Sequence, residues 1–256
     1  MARSDDSQFH VFHDAAEVAE QTAHWLLDLA LARRSRVAVC LSGGSTPKEA
    51  EAARFGPAFR GRFPWPQAHW FWGDERFVAM DHPDSNYLMA RRAMLDAVPV
   101  PAANIHPVPT HLESPDAAAA AYERDLKAFY GQDKLERDRP LFDITLLGVG
   151  DDGHTASLFP GTSVLAERTR WVTSITGARP EPRITLTYPA LQSSRHVAFL
   201  VCGSSKRKIV TAICQGEDYP AGHIRPDGEL HWFLDQDAAP AGLVHHAARD
   251  AATNTR

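Results

Sequence analysis

Asp152 and His154 are the pair of residues in this sequence whose types and spacing are best suited to chemistry. They flank Gly153 in the run GVGDDGH (148–154), which directly follows the apolar run FDITLL. In an open parallel sheet, ligands bind outside the carboxyl ends of the strands, so both side chains can face a ligand crevice. A carboxylate beside an imidazole can act as a general-base pair that activates water. The spacing therefore favours proton transfer at this turn, and the competing interpretation is a histidine that is structural or merely exposed.

The same run also matches G-x-G-x-x-G, the pattern of dinucleotide-binding turns, through its three glycines. A pyrophosphate bound there would lie beside Asp151 and Asp152. Two carboxylates within about 4–6 Å of a pyrophosphate oppose its binding by several kcal/mol. We therefore predict that this turn binds no dinucleotide, and we expect no cofactor.

Turns after other apolar runs carry groups that can bind phosphate. The run SGGSTP (42–47) could hold a phosphate on free amides at a helix N-terminus, or it could form only a tight turn. Charged side chains at other strand ends could add to such a site, or they could be solvated surface groups. Because the G-x-x-x-x-G-K-[ST] loop is absent, the sequence favours a small phosphate ester over ATP. The candidate substrate-binding residues are Gly43, Gly44, Ser45, Thr46, Asp74, Arg76, Arg183 and Lys206.

The composition argues against several other classes of protein. A formal charge of −5, with 27 scattered Lys and Arg residues, provides no basic field for nucleic acid. No stretch approaches the roughly 18 apolar residues of a membrane span, and the N-terminal run MARSDDSQFHVF lacks the apolar core of a cleaved signal. The three cysteines are far apart, and no His or Cys spacing is typical of a metal site. We therefore expect a cytoplasmic protein with no metal, no nucleic-acid partner and no membrane partner.

The elements that must position these residues alternate between strands and helices, which predicts an α/β fold. We expect a doubly wound, Rossmann-like, mostly parallel sheet with helices on both faces and a small edge flap. The main strands are predicted in the apolar runs RVAVCL (36–41), AHWFWG (68–73), LFDITLLGVG (141–150) and HVAFLVCG (196–203). Sheet edges or the flap are expected to contain the short strands at 171–175, 183–188 and 231–235.

The whole chain is expected to form one domain over residues 1–240. Residues 241–256 are alanine-rich and polar, and we predict a partly disordered tail there. We expect a monomer or a weak dimer.

Six stretches, taken in order, resemble the signature blocks of the 6-phosphogluconolactonase family. The G-x-D-G-H core alone is shared with glucosamine-6-phosphate deaminases, whereas TASLFPG, GDERFV and PRITLTYPA are similar to the lactonases. The blocks are LSGGSTP (41–47), WFWGDERFV (70–78), HPDSNY (82–87), LFDITLLGVGDDGHTASLFPG (141–161), PRITLTYPAL (182–191) and FLVCGSSKRK (199–208).

The resemblance implies a Rossmann-like sheet without nucleotide and hydrolysis of 6-phospho-D-glucono-1,5-lactone to 6-phosphogluconate in the pentose phosphate pathway. It makes His154 the general base that activates water and Asp152 the group that orients it. It assigns the 6-phosphate of this phosphosugar lactone to the Gly43 to Thr46 turn with Arg76, Arg183 and Lys206.

One segment, ARPEPR (178–183), departs from the K-P-P-P-R that relatives often carry. This departure leaves the role of Arg179 open. For the oxyanion that forms during hydrolysis, backbone amides near Gly43 or Gly153 are the candidate donors.

Two other functions are compatible with the same motifs. The deaminase and isomerase relatives share the phosphate turn and the D-G-H core, so a glucosamine-6-phosphate deaminase activity is one alternative. A non-catalytic sugar-phosphate sensor, which would keep the pocket without the chemistry, is the other.

Overall fold

The structure, a computed structural model, describes residues 7–43 and 57–243. Three predicted phosphate ligands, Gly44, Ser45 and Thr46, lie outside the described residues, as do residues 244–256 of the predicted tail. In the described ranges the strands are β1 (Gln8–Phe12), β2 (Val37–Leu41), β3 (Ala68–Trp72), β4 (Asp74–Arg76), β5 (Phe142–Leu147), β6 (Val172–Ile175), β7 (Arg183–Leu186), β8 (Ser194–Val201) and β9 (Glu229–Asp235).

The helices lie between these strands along the chain. In the described ranges the α-helices are α1 (Ala15–Ala32), α2 (Pro57–Arg62), α3 (Asn86–Ala93), α4 (Pro115–Tyr130), α5 (Tyr188–Gln192) and α6 (Arg207–Cys214). Short 3-10 helices occur at Trp65–Gln67, Leu95–Ala97, Ala102–Asn104, Ser163–Ala166, Ser204–Lys206 and Pro220–His223.

The main sheet has six parallel strands in the order β1-β9-β8-β5-β2-β3. Every residue of the runs VAVCL in β2 and FDITLL in β5 is buried, as expected for strands covered on both faces. Helix α1 begins where the sequence predicts, because the Asp14 side chain accepts a hydrogen bond from the Glu17 amide at 2.9 Å. The predicted α/β fold with a mostly parallel sheet is thereby confirmed.

Strand β9 corrects one sequence-based expectation. The run at 231–235 was expected at a sheet edge or in the flap, but β9 pairs with β8 on one side and with β1 on the other. The edge position belongs to β1, from the N-terminal run QFHVF, for which no strand was predicted. A short strand becomes interior here because a distant segment of the chain covers its second side.

The predicted flap is confirmed as a small antiparallel sheet with the order β4-β7-β6. It joins the main sheet at Gly73, the residue between β3 and β4. The Gly73 amide donates to the Leu41 carbonyl at the end of β2 (2.8 Å), and the Gly73 carbonyl accepts from the Leu186 amide at the end of β7 (2.8 Å). One residue is therefore hydrogen-bonded to both sheets.

Helix α4 fixes the end of β3 beside this junction. The hydroxyl of Tyr122, fully buried on α4, accepts a hydrogen bond from the Trp72 amide (2.8 Å) and donates one to the Trp72 carbonyl (3.0 Å). Both backbone groups of Trp72 would otherwise be buried without partners, which is costly. The start of β4, and with it Asp74, is thus held rigidly.

No helix within residues 7–43 and 57–243 has the length and apolar character needed to cross a membrane.

Candidate active site

A cleft of about 330 Å³ opens at the carboxyl ends of β2 and β5. These neighbouring strands lie where the strand order changes direction, which is the usual ligand position in open α/β sheets. The structure brings together every predicted site residue that it describes except Asp152, which contacts the lining residues His154 and Arg179. The cleft is lined by Ser42, Gly43, Asp74, Arg76, Asn86, Gly148, Val149, Gly150, Asp151, His154, Ala156, Ser157, Phe159, Arg179, Arg183 and Lys206.

His154 lies in the cleft wall with its ring oriented by Asp152. The Nδ1 atom of His154 is 2.5 Å from Oδ1 of Asp152, and the same carboxylate oxygen accepts from the His154 amide at 3.2 Å. Since an ionised carboxylate only accepts hydrogen bonds, Nδ1 carries the proton and Nε2 is the basic nitrogen of the ring. The Phe159 ring, with its centre 4.8 Å from that of His154, packs against it from the side. The pair therefore has the arrangement of an oriented general base.

Asp152 is itself held by a cation that sequence reasoning left without a role. Nη2 of Arg179 is 2.7 Å from Oδ2 of Asp152, and the Arg179 guanidinium stacks on Phe159 at 4.7 Å. Partial burial acts to raise the pKa of Asp152, but hydrogen bonds from His154 and the charges of His154 and Arg179 outweigh it and lower the pKa. Asp152 therefore stays ionised and keeps His154 in one tautomer.

Protein side chains lie close against two glycines of this turn. A Cβ on Gly150 would overlap with the His154 ring, because the ring folds back over the turn. A Cβ on Gly153, whose φ is +77°, would overlap with the ring of Tyr219. In a dinucleotide-binding turn the second glycine lets the pyrophosphate approach the backbone. At Gly150, which holds that place in the pattern, the His154 ring lies in this space instead.

Two arginines face the cleft from the small sheet. Arg76 on β4 and Arg183 on β7 are direct cross-strand partners, and the Arg183 side chain is only 12% exposed. Burial lowers the pKa of Arg183, and the nearby Arg76 lowers it further. Like charges directly opposite each other destabilise a sheet. An anion between the two guanidinium groups would remove that repulsion.

Lys206 approaches the cleft from the turn after β8. Gly203 begins this turn with φ +92°, and its amide donates to both carboxylate oxygens of Asp235 at 3.0 and 2.9 Å. The Lys206 ammonium is 2.5 Å from Oδ1 of Asp151, a carboxylate whose side chain is 78% exposed. The Lys206 side chain is only 16% exposed, so the exposed Asp151 is the partner that can turn away into solvent when a phosphate competes for the lysine.

Asn86 is a cleft residue that sequence reasoning did not single out. Its Nδ2 donates to the Asp74 carbonyl at 2.8 Å, while its buried Oδ1 makes no hydrogen bond to any described residue. Asp74 also accepts from the Ser157 hydroxyl at 2.7 Å. The backbone carbonyl and the carboxylate of Asp74 therefore both accept hydrogen bonds from other residues of the protein. Asn86 is the first residue of α3, after the N-cap Ser85. The cap marks where the helix begins but does not indicate that this residue faces the cleft.

Gly43 is required by the position of Asn86. A Cβ on Gly43 would overlap with the Asn86 amide, which is 1% exposed and cannot move aside easily. We expect Gly43→Ala to displace Asn86, to lower the free energy of unfolding by about 1–3 kcal/mol and to reduce activity. Urea unfolding and steady-state kinetics would measure the two effects.

The matched control for this substitution is Gly61→Ala. Gly61 lies in α2, and no described atom is within 4 Å of a Cβ added there. Alanine is favoured over glycine in a helix by roughly 0.5–1 kcal/mol, so this variant should be as stable as the parent or more so. Equal stability of the Gly43 and Gly61 variants would contradict the steric argument.

Behind the cleft, the buried carboxylate of Glu75 organises the start of α3. It accepts backbone hydrogen bonds from Arg76, Asn86 and Tyr87, each at 2.8 Å, and one from the Ser85 hydroxyl at 3.1 Å. Burial raises the pKa of Glu75 to about 7, while these hydrogen bonds act to lower it. Glu75 does not line the cleft. The structure gives it a positioning role, through Asn86 and Arg76.

The raised pKa of Glu75 predicts a pH-dependent stability. Its folded pKa of about 7 exceeds its ordinary value of 4.5, so the stabilisation from this group is complete below about pH 4.5 and is lost as the pH rises through 7. The free energy of unfolding of the parent, minus that of Glu75→Gln, should therefore fall with rising pH, by at most about 1.4 kcal/mol per pH unit. Urea unfolding at several pH values between 4 and 8 measures this difference.

The difference between parent and Glu75→Gln is used, rather than the parent alone, because some histidines change the stability with pH in the opposite direction. Burial lowers the pKa of His106 and of His231 to about 4, so their contribution to stability is lost as the pH falls. The control is Glu20→Gln, at an exposed position of α1. A Glu75→Gln difference as independent of pH as the Glu20→Gln difference would contradict the assignment.

One of the two backbone candidates for stabilising an oxyanion is already engaged. The Gly153 amide donates to the Gly150 carbonyl at 2.9 Å and completes the turn before His154. It therefore has no hydrogen bond to offer a substrate in this arrangement. The backbone amide of Gly43 remains the candidate donor to an oxyanion, since Gly43 lines the cleft.

The parallel sheet and the basic cleft at its carboxyl ends define an α/β protein that can hold an anionic ligand beside an oriented histidine. The chain matches the family model described as glucosamine-6-phosphate isomerases/6-phosphogluconolactonase over residues 13–232, and it belongs to that family. The family membership implied by the signature blocks is thus confirmed.

Individual relatives agree with this assignment. The chain is 46% identical to a 6-phosphogluconolactonase of Synechocystis sp., over 82% of this chain and 86% of the relative. The crystal structure of the 6-phosphogluconolactonase of Thermotoga maritima is similar with a TM-score of 0.76 and 28% identity, covering 90% of this chain and 100% of that one. A monomeric glucosamine-6-phosphate deaminase shares the fold, with a TM-score of 0.75 at 18% identity over 90% of this chain and 98% of that one.

Proposed function

We propose that this chain is a 6-phosphogluconolactonase, which hydrolyses 6-phospho-D-glucono-1,5-lactone to 6-phospho-D-gluconate in the pentose phosphate pathway. The observation that carries the proposal is one cleft that holds both an oriented histidine, His154, and the cross-strand arginines Arg76 and Arg183. The relatives with this name support the choice of substrate.

In the proposed complex the 6-phosphate binds between Arg76 and Arg183. Guanidinium groups bind phosphate with two parallel hydrogen bonds, which fixes its orientation as well as its position. Lys206 joins the phosphate after leaving Asp151. The neutralised repulsion between the arginines adds to the affinity, so the phosphate positions the lactone ring near His154.

The proposed chemistry needs one base and one water molecule. Nε2 of His154 removes a proton from water as the water oxygen bonds to the lactone carbonyl carbon. The bond from that carbon to the ring oxygen then breaks, and the proton on His154 passes to the ring oxygen. Asp152 stabilises the imidazolium that exists between these two transfers. The carboxylic acid product ionises and releases one proton to solvent.

Proton release from freshly prepared lactone in weak buffer tests the proposal. The lactone also hydrolyses unaided, so the expected result is a rate above the spontaneous one that is proportional to protein concentration. The unphosphorylated lactone serves as the control substrate and should react far more slowly, because it lacks the group that the arginines bind. A rate equal to the spontaneous rate with the phosphorylated lactone would refute the function.

The two alternatives predict different results in companion assays. A deaminase would release ammonia from glucosamine 6-phosphate. A sensor would gain thermal stability from 6-phosphogluconate without any turnover.

The single domain over 1–240, the cytoplasmic location and the monomer or weak dimer stay predictions.

A further inference from the structure

Three polar side chains meet under helix α1, at the end of the main sheet opposite the cleft. His196 lies on β8, and Glu229 and His231 lie on the neighbouring strand β9; we refer to them as the His–Glu–His cluster. His196 is in register with Glu229, so the three side chains share one face of the sheet. About seven residues of β8 and its following turn separate His196 from Gly203 at the cleft, a distance of roughly 20 Å.

Two of the three separations between ligand atoms in this cluster match those around a tetrahedral metal ion. Oε2 of Glu229 is 3.1 Å from Nε2 of His231 and 3.4 Å from Nδ1 of His196, and all the ligand atoms lie within 4.8 Å of one another. Zinc bonds to nitrogen and oxygen are about 2.0–2.2 Å long, so neighbouring tetrahedral ligands are about 3.3 Å apart. Two of the contacts already have this separation before a cation is added.

The chemical state of the two rings also suits a cation. Nδ1 of His196 is buried and makes no hydrogen bond to any described residue, so its approach to Glu229 leaves this atom unsatisfied. Nδ1 of His231 is 3.2 Å from Nε2 of His10 on β1. A hydrogen bond at the second nitrogen is the usual way in which a metal-binding histidine is oriented. With its proton on Nδ1, donated to His10, the His231 ring presents the lone pair of Nε2 to a cation without moving.

The cluster is most open to solvent at Glu229. The Glu229 side chain is 55% exposed, whereas that of His231 is 5% exposed. The ring of Trp25 on α1 covers both histidines, with its centre 5.1 Å from that of His231 and 6.0 Å from that of His196. Two imidazoles and one carboxylate with one open side are a ligand set typical of zinc and related ions.

We propose that the His–Glu–His cluster binds a divalent transition-metal ion of the zinc type, with a water molecule in the fourth position. The ion ties β8 to β9 and leaves the cleft chemistry unchanged, because the two sites lie at opposite ends of the strands. This proposal is independent of the lactonase reaction. The sequence shows no sign of the site, because Glu229 and His231 follow His196 by 33 and 35 residues and no motif joins them to it.

Cobalt(II) is the probe for the test, because it takes zinc sites and absorbs visible light when it is tetrahedral. Full-length protein freed of metal with EDTA should bind one equivalent and gain tetrahedral cobalt absorption. Trp25 fluorescence should be quenched, and Trp25→Phe should remove the quenched component. Zinc should displace cobalt and raise the melting temperature.

Two variants locate the ion, and a third serves as control. Glu229→Gln and His196→Asn should each weaken cobalt binding at least tenfold while kcat for the lactone is unchanged. Glu229 is exposed, so its amide variant should fold, and circular dichroism would verify this. His154→Ala, in the cleft, should leave cobalt affinity at the parent value. Absence of tetrahedral cobalt absorption in the parent would overturn the proposal. Unchanged cobalt affinity in folded Glu229→Gln and His196→Asn would overturn it too, and so would loss of cobalt binding only in His154→Ala.

Discussion

Replacing His154 with alanine should lower kcat for the phosphorylated lactone by about 10²–10⁴-fold and leave KM close to the parent value. The reason is that, in the proposed mechanism, His154 acts on the attacking water, whereas Arg76 and Arg183 on the small sheet bind the phosphate. An interaction realised only in the transition state affects kcat and kcat/KM equally. Steady-state proton-release kinetics, corrected for spontaneous hydrolysis, measure both constants.

The matched control is a histidine in the same kind of pair outside the cleft. Nε2 of His223 is 2.5 Å from Oδ1 of Asp218, a separation equal to that between His154 and Asp152. His223→Ala should keep the parent kcat, because His223 does not line the cleft. Equal kcat values for parent and His154→Ala would remove His154 from the mechanism, and a loss confined to KM would make it a binding residue.

Replacing Arg183 with methionine should raise KM by about 10- to 150-fold with a smaller effect on kcat. Hydrogen bonds to charged groups contribute about 1.5–3 kcal/mol, and each 1.4 kcal/mol is a factor of ten in affinity. Methionine keeps the buried apolar stem of Arg183 and removes only the guanidinium, so the packing of the small sheet is retained. The variant also isolates Arg76, which loses its like-charged partner.

A second measurement separates phosphate binding from a general loss of structure. Inorganic phosphate or 6-phosphogluconate should raise the melting temperature of the parent, and this rise should be absent or much reduced in Arg183→Met. Arg91→Met is the control, because Arg91 is a surface residue paired with Asp96 at 2.9 Å and does not line the cleft. A parent-like KM and melting shift in Arg183→Met would place the phosphate elsewhere.

The strands and turns could be predicted because their signals are local. A continuous apolar run followed by glycine, as in β2 and β5, identifies both a buried strand and its carboxyl end. Once the ends of parallel strands are known, topology gathers the residues that follow them at one edge of the sheet. This is why His154, Arg76 and Lys206 could be predicted to share a site.

What could not be predicted depends on contacts between distant segments. Asn86 reaches the cleft because Glu75 holds the start of α3, and no spacing in the sequence reports that hydrogen-bond network. Arg179 lies in an irregular segment, where its partner Asp152 cannot be identified from a pattern. The interior position of β9 likewise depends on β1, which lies more than 200 residues away along the chain and was itself not predicted.

Gly73 has a consequence for which substrates fit. Its two hydrogen bonds, to Leu41 in the main sheet and from Leu186 in the small one, help to set the distance between His154, in the turn after β5, and the arginines on the small sheet. A cleft with a set separation between base and phosphate site selects its ligand by length. With the phosphate bound as proposed, we expect a phosphorylated lactone one carbon shorter to hold its carbonyl carbon out of reach of the activated water.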